Sequence, residues 1–287
     1  MIRKHEPCEF EVLLSCMYQD GFDIAYKTNV KSDLLIINQC DKEDYQEIEV
    51  DGYLWRMIST KERGSSYSRN KALDYARGKI CLLCDDDEIY HNNYREIVLK
   101  AFVDLPEASL IGFNVNRINV SMKKTYYKIK QAKETEKYRC FASPMIAFRL
   151  KDIKNKNIRF NVQFGSGAPW GAGEDSLFQR DARQKGLKLY EYPECIATQD
   201  YSNESKWFHG YDAEYFYNQG AFAEYCGSNR FVRELFNLYT FLYKYRRELT
   251  LSPLEKLKWK HRGEKGWRKK VTYSQYVKNG YSYESKE

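Results

Sequence analysis

Four short apolar runs occupy the first third of the chain: Phe10–Met17, Leu34–Asn38, Leu54–Ser59 and Ile80–Cys84. Each is bounded by polar or glycine-containing segments. Runs of this length without alternation predict strands buried on both faces, hence a largely parallel sheet covered by helices. Between the third and fourth runs, Ser66–Arg77 has helical spacing, with serines at its start as N-cap candidates and Gly78 as its stop. Further along, the pattern predicts a strand at Leu110–Val115, a helix at Glu174–Lys185 closed by Gly186, and strands at Leu187–Tyr192 and Ile196–Thr198. After Tyr201 the character changes. Tyr211–Cys226 and Phe231–Leu249 are aromatic-rich with helical spacing, and Pro253 opens a basic stretch. The expected organisation is one α/β body followed by a C-terminal helical tail, with no internal repeat and no low-complexity linker.

At 287 residues, 43% hydrophobic and 30% charged, the chain is long enough for a sizeable core and ordinary for a globular protein. The 25 tyrosines offer flat faces that stack on sugars or bases, although core packing is the commoner use of any one of them. The net charge of +7 is concentrated. Phe241–Lys270 holds eleven Lys/Arg against three Asp/Glu, which leaves the rest of the chain close to neutral. Such a block suits phosphate-rich partners, anionic lipid or nucleic acid, or else is a solvated helix face. Eight cysteines are scattered, mostly within apolar runs, and the single CxxC (Cys81, Cys84) has no second pair at zinc spacing. Reduced thiols fit a cytosolic setting. The N-terminal MIRKHEPCEFEV lacks the apolar stretch of a signal peptide, and no window approaches the ~18 apolar residues of a membrane span. The expected location is cytoplasmic.

Three segments carry candidate chemistry. Asp85-Asp86-Asp87-Glu88 follows directly on a buried strand. Carboxylates crowded this closely repel one another unless a cation sits among them. Mg²⁺ and Mn²⁺ favour one or two carboxylates plus substrate phosphates, and ligands of open parallel sheets bind beyond the carboxyl ends of the strands. An acidic surface turn is the alternative. Upstream, Glu62-Arg63-Gly64-Ser65-Ser66-Tyr67-Ser68-Arg69-Asn70 enters a helix N-terminus, whose free N–H groups and dipole suit phosphate. Arg63 and Arg69 add charge-assisted donors for a diphosphate or a base edge; a capped helix with surface arginines would look the same. No P-loop pattern is present. The third segment, Trp170-Gly171-Ala172-Gly173-Glu174-Asp175, ends a glycine-rich loop and opens a helix with two acids. Those acids either complement the helix dipole or supply a general base facing a cleft.

In this order and at these separations, ERGSSYSRNKAL, ICLLCDDDE and WGAGEDSLFQR resemble glycosyltransferase family 2, over roughly Phe10 to Gln199. The segment SNESKWFHGYDAEYFYNQG resembles the tail of bacterial members from surface-polysaccharide clusters. The resemblance implies the GT-A (nucleotide-diphospho-sugar transferase) fold, with residues 1–115 as the nucleotide-sugar half, 116–200 as the acceptor half and 201–287 as the basic helical tail. It implies inverting transfer of a monosaccharide from a nucleotide diphosphate, expected to be UDP, to a glycan or lipid-linked acceptor in cell-surface polysaccharide synthesis. The family's DxD carboxylates, which hold Mn²⁺ or Mg²⁺ against the donor diphosphate, map onto Asp85 and Asp87, with Asp86 the alternative frame and Asp85 nearer the ribose. The family's Glu-Asp pair maps onto Glu174 and Asp175, with Asp175 as base, and its Arg-Asn pair onto Arg69 and Asn70, near the uracil or diphosphate. Where many members end the second strand with two acids, this chain has Asn38 and Gln39, whose amides suit a uracil edge. Ser15 is expected to line the nucleoside pocket. The absence of a QxxRW-like tract after Asp175 argues against a processive polymerase.

Two other functions use the same features: a metal-dependent nucleotidyltransferase or nucleotide-sugar hydrolase, told apart by its products, and a non-catalytic nucleic-acid binder. Against nucleic acid, the positive charge is confined to one end and no RNA-binding motif is present. Phe231–Tyr245 with the basic run to Lys270 instead suggests a basic amphipathic surface lying peripherally on an anionic bilayer, or an apolar face packed on the α/β body.

Overall fold

The computed structural model describes residues 5–119, 127–202, 210–227, 235 and 251–278. It divides into two compact units. The first comprises Met1–Val162 and Glu174–Glu204, the second Gln163–Gly173 and Ser205–Glu287.

The first unit is built on the predicted apolar runs. Strands β1 (Cys8–Met17), β2 (Asp33–Gln39), β4 (Tyr53–Thr60) and β5 (Gly78–Asp85) contain them. All pair in parallel, β4-β2-β1-β5. Their central residues, among them Val12, Leu14, Leu34, Ile36 and Leu82, are shielded completely from solvent, as unbroken apolar runs require. Each such aliphatic side chain contributes about 1.5–3 kcal/mol by leaving water. Helix α1 (Asp23–Lys27) follows β1, and β3 (Asp44–Val50) extends the edge antiparallel to β4. Helix α2 (Ser65–Tyr75) lies between β4 and β5.

Beyond β5 the sheet is mixed. A short β6 (Glu88–Tyr90), helix α3 (Tyr94–Asp104), β7 (Leu110–Ile118), the two-residue β8 (Lys133–Glu134), β9 (Ile146–Arg149), helix α4 (Leu150–Asn155), helix α5 (Glu174–Gln184) and β10 (Leu189–Asp200) complete the unit. The strand order is β3-β4-β2-β1-β5-β9-β7-β10-β6, with β8 on β10. Strand β9 runs antiparallel to both β5 and β7, and so joins the parallel β4-β2-β1-β5 set to the parallel pair β7-β10.

Two details differ from the sequence reading. Helix α2 ends at Tyr75, with Ala76 extended, and Gly78 opens β5 instead of closing the helix. A Cβ at Gly78 would lie 2.7 Å from the Glu11 Cβ, so this position is glycine because β1 passes close by. The two strands expected at Leu187–Tyr192 and Ile196–Thr198 are one strand, β10, interrupted by register shifts between Glu191 and Ala197. Pro193 lies in that irregular stretch, where a missing N–H costs no ladder bond.

The second unit contains α6 (Ala213–Tyr225), α7 (Pro253–Lys269), α8 (Tyr273–Lys278) and the glycine-rich loop. Asp212 caps α6, and a Ser252/Glu255 capping box with Pro253 in the first turn starts α7. Phe164 and Trp170 of the loop pack with Phe222, Tyr225 and Trp267. Of the tail helix expected at Phe231–Leu249, only Leu235 is among the described residues. No helix of the described residues is long and apolar enough to cross a membrane.

Candidate active site

The carboxyl ends of β1 and β5 set the site, because their register places Ser15 beside Asp85. Asp85 ends β5, Asp86 and Asp87 form a tight turn, and β6 begins at Glu88. This turn distributes the four acids. Asp86 and Asp87 are exposed, Asp85 is partly exposed, and Glu88 is buried.

The Glu88 Oε2 accepts a long bond from the Asp85 N–H (3.4 Å) and its Oε1 has no partner. Burial, then the charges of Asp85 and Asp87, push its carboxyl well above the usual range. Asp87 accepts from the Gln199 amide at the end of β10 (3.1 and 3.2 Å). Loss of solvent around its carboxyl, with the neighbouring Asp85 charge, pushes it up to about 6.

Arg69 organises the centre. It emerges from α2 and is only 5% exposed. One guanidinium nitrogen donates to Glu174 Oε1 (3.2 Å) and Asp175 Oδ1 (3.0 Å); the other donates to Asp85 Oδ1 (3.1 Å) and Ser143 Oγ (2.6 Å). Its plane lies over Phe160, 5.5 Å from the ring centroid, and Phe160 stacks at 4.1 Å on Phe178 of α5. Burial works against its charge, but the surrounding Asp175, Asp85 and Glu174 carboxylates outweigh it and raise its basicity. The end of β5 and the start of α5, about ninety residues apart in sequence, are thus joined through one cation.

At the start of α5, Glu174 also accepts from Ser65 Oγ (3.1 Å), and Asp175 Oδ2 accepts from the Ser143 N–H (2.9 Å). Burial pushes the Asp175 carboxyl up to about 7; Arg69 opposes the shift, and Glu174 and Asp85 reinforce it. A carboxyl poised there suits a general base working near neutrality. Ser15 lies against α2 instead, its hydroxyl accepting from Ser68 Oγ (2.8 Å).

The remaining sequence candidates have structural engagements. Asn38 is wholly buried. Its Oδ1 accepts from the Gln19 N–H, and its Nδ2 donates to the Gln19 carbonyl and Ser59 Oγ. Both ends of the amide expected to meet a uracil edge are therefore committed to holding the loop after β1. Gln39 turns its Oε1 to the Gly64 N–H (2.7 Å) at the entrance to α2. Asn70 exchanges two bonds with the Phe160 backbone. Arg63 donates to the carbonyls of Cys40 and Thr60 and to Asp41, with its guanidinium over the exposed Tyr18 ring. The contacts therefore unite Ser15, Arg69, Asp85, Glu174 and Asp175. Asn38, Gln39 and Arg63 gather at the ends of β2 and β4.

Ser143, Gln179 and Gln199 carry no motif and were not singled out from the sequence. Ser143 lies in a 3₁₀ turn, Ser143–Met145. Gln179 is fully buried, one turn after Asp175, and grips the Phe141 backbone in both directions. A glutamine four residues past a candidate base, on the helix's buried side, is the available signal, and it is a weak one.

Among the described residues no group of three or more His, Cys, Asp or Glu side chains is arranged to hold a metal ion. The donor set still fits a cation that takes one or two carboxylates and completes its shell with substrate phosphate. Asp86 and Asp87 lie at the exposed turn, and beside the desolvation that chiefly raises Asp87, the charges of Asp85 and Asp86 add a repulsion that a cation would relieve.

The family model described as glycosyl transferase family 2 matches residues 12–169. No curated protein matches the sequence. Among solved structures, residues 1–349 of TarS from S. aureus in complex with UDP-GlcNAc are similar at a TM-score of 0.59 and 13% identity, covering 93% of each chain. The same fragment in complex with UDP gives 0.54 at 13% identity, again covering 93% of each. The TarS structure not confined to that fragment gives 0.52 at 14% identity, over 97% of this chain and 46% of that one. With a mixed sheet flanked by helices, acids at the carboxyl end of its fifth strand and a family match over more than half its length, the chain belongs to glycosyl transferase family 2 and is a glycosyltransferase of the GT-A fold.

Proposed function

We propose that this glycosyltransferase moves a monosaccharide, with inversion, from a UDP-sugar to a glycan or lipid-linked acceptor in surface-polysaccharide synthesis. The observation that carries the reading is the Arg69 bridge between Asp85 and Asp175. It brings a donor-side acid and an acid suited to act as base into one charged cluster at the carboxyl end of the sheet. The UDP and UDP-GlcNAc complexes of TarS support a uridine nucleotide as the donor's carrier.

In this mechanism Asp175 accepts the proton of the acceptor hydroxyl as that oxygen forms its bond to the anomeric carbon. The bond from that carbon to the diphosphate oxygen breaks, and the nucleoside diphosphate leaves on the opposite face. The lifted basicity of Asp175 strengthens it as a base, and Arg69 holds its Oδ1 in place. Asp87, with Asp85 or Asp86, would hold Mn²⁺ or Mg²⁺, which when bound supplies positive charge to the departing diphosphate. Ser15 borders the nucleoside pocket. Asn38 and Gln39 shape its wall through the loops they tie down, and Arg63 with Tyr18 offers a cationic and aromatic edge. Residues 1–115 serve the donor and 116–200 the acceptor.

The direct test is a panel of nucleotide sugars with Mn²⁺, scored for donor hydrolysis and thermal stabilisation. One or a few UDP-sugars should respond, and only with the metal present. Release of pyrophosphate, or no response to any donor, would remove the reading.

A further inference from the structure

We propose that Ser143 is a positioning residue that fixes the donor-side acid Asp85 and the base Asp175 relative to one another; this role rests on the transfer reading above. Ser143 is 3% exposed and takes no part in bond making. It nevertheless makes three hydrogen bonds to the charged groups of the site. Its hydroxyl accepts from the Arg69 guanidinium (2.6 Å) and donates to Asp85 Oδ2 (2.9 Å), while its main-chain N–H donates to Asp175 Oδ2 (2.9 Å). A hydroxyl suits this place because it accepts from a cation and donates to a carboxylate at the same time.

The turn that carries Ser143 is held from several sides. Pro144 stiffens its second position and Met145 N–H bonds back to the Ala142 carbonyl. Two residues upstream, the Gln179 carboxamide of α5 both donates to and accepts from the Phe141 backbone, and also donates to the Asp175 carbonyl. On the other side, the Phe141 ring covers Gly112 of β7 so closely that a Cβ there would lie 2.5 Å from it. The helix bearing the base, the strand bearing Asp85 and the central sheet therefore converge on this turn. Two atoms of Ser143 serve the two sides of the reaction separately: Oγ serves Asp85 and the backbone N–H serves Asp175. Replacing the side chain removes the bond to Asp85 and one of the acceptors of Arg69, while the backbone bond to Asp175 remains.

The test compares wild type, Ser143→Ala and Ser143→Thr as full chains. It measures turnover with the best UDP-sugar and Mn²⁺, UDP binding by calorimetry, and melting temperature. Ser143→Ala should lose roughly 10- to 100-fold in kcat and bind UDP more weakly, as expected for a lost charge-assisted bond. Its acceptor KM and melting temperature should stay near wild type. Ser143→Thr, which keeps the hydroxyl, should recover most of the loss. If alanine lowers the melting temperature, Ser143→Cys, close in shape with a weakly bonding thiol, replaces it and should show a smaller loss of the same kind. Wild-type kcat and UDP affinity in Ser143→Ala, or threonine as impaired as alanine, would overturn the positioning role while leaving the transfer reading intact. A wild-type chain that neither binds UDP nor consumes a nucleotide sugar would remove both.

Discussion

At the scale of single residues, the site's acids are sorted by what surrounds them. Asp175, Glu88 and Asp87 are all pushed up, but of the three only Asp175 pairs with Arg69. Asp175→Asn should lower kcat by about 10²–10⁴, the usual worth of a positioned base, with UDP affinity by calorimetry nearly unchanged; transfer at the wild-type rate would sink the assignment. Asp87→Ala should remove the metal-dependent part of UDP binding, seen as equal heats with and without Mn²⁺. The pH behaviour follows from the sign of the Asp175 shift. The base works deprotonated, so kcat should fall as pH drops through about 7. A carboxyl whose folded-state value lies above its unfolded value favours folding while protonated. That contribution is complete below about 3.8 and is lost as pH rises through about 7. Acidification across this window should therefore cost activity while adding stability, and Asp175→Asn should flatten the dependence of melting temperature on pH. The acids were legible in sequence because they stand in runs beside an apolar strand or a glycine-rich loop. Asn38 shows the limit: its position at a strand end was readable, but its amide is taken by Gln19 and Ser59, partners that only the folded chain brings near.

At the scale of elements, unbroken apolar runs located β1, β2, β4 and β5, where burial on both faces leaves no room for polar alternation. Strand β3, DYQEIEV, escaped because an edge strand is largely solvent-facing and reads as loop. Strand β9 escaped because four residues between a 3₁₀ turn and a helix carry too short a pattern. The packing of α6 on α7 was equally hidden. A Cβ at Gly220 would fall 1.9 Å from the Lys260 carbonyl oxygen, and one at Gly263 would fall 1.9 Å from that of Tyr217. The two helices touch backbone to backbone through a reciprocal pair of glycines, which in sequence look only like poor helix formers. Alanine at either position must push the helices apart. Gly220→Ala is expected to cost at least the ~1–3 kcal/mol typical of overpacking, read as a lower urea midpoint. An unchanged midpoint would mean that the helices do not meet this way.

At the scale of the whole molecule, what remains to be explained is the charge. Most of the net positive balance lies in one stretch, and the structure divides that stretch by burial. Lys256 and Lys260 of α7 are buried, with the Lys256 ammonium 5.8 Å from the Phe216 ring centroid, while Lys258, Lys265, Arg268, Lys269 and Lys270 are exposed. Only the exposed set can reach lipid headgroups directly, so it carries the contact part of whatever attraction this stretch of described residues has for an anionic surface. A cation near an anionic bilayer contributes about 1 kcal/mol, and the attraction decays within a Debye length. Five such charges are enough for measurable but salt-sensitive adhesion. The chain should float with vesicles containing phosphatidylserine at low salt and be released by added salt, and it should ignore neutral vesicles. Replacing Lys258, Lys265 and Lys269 together with glutamate should abolish flotation without lowering turnover on a soluble acceptor. If the triple variant floats as well as the wild type, the exposed face of α7 is a solvated surface and the adhesion assignment fails.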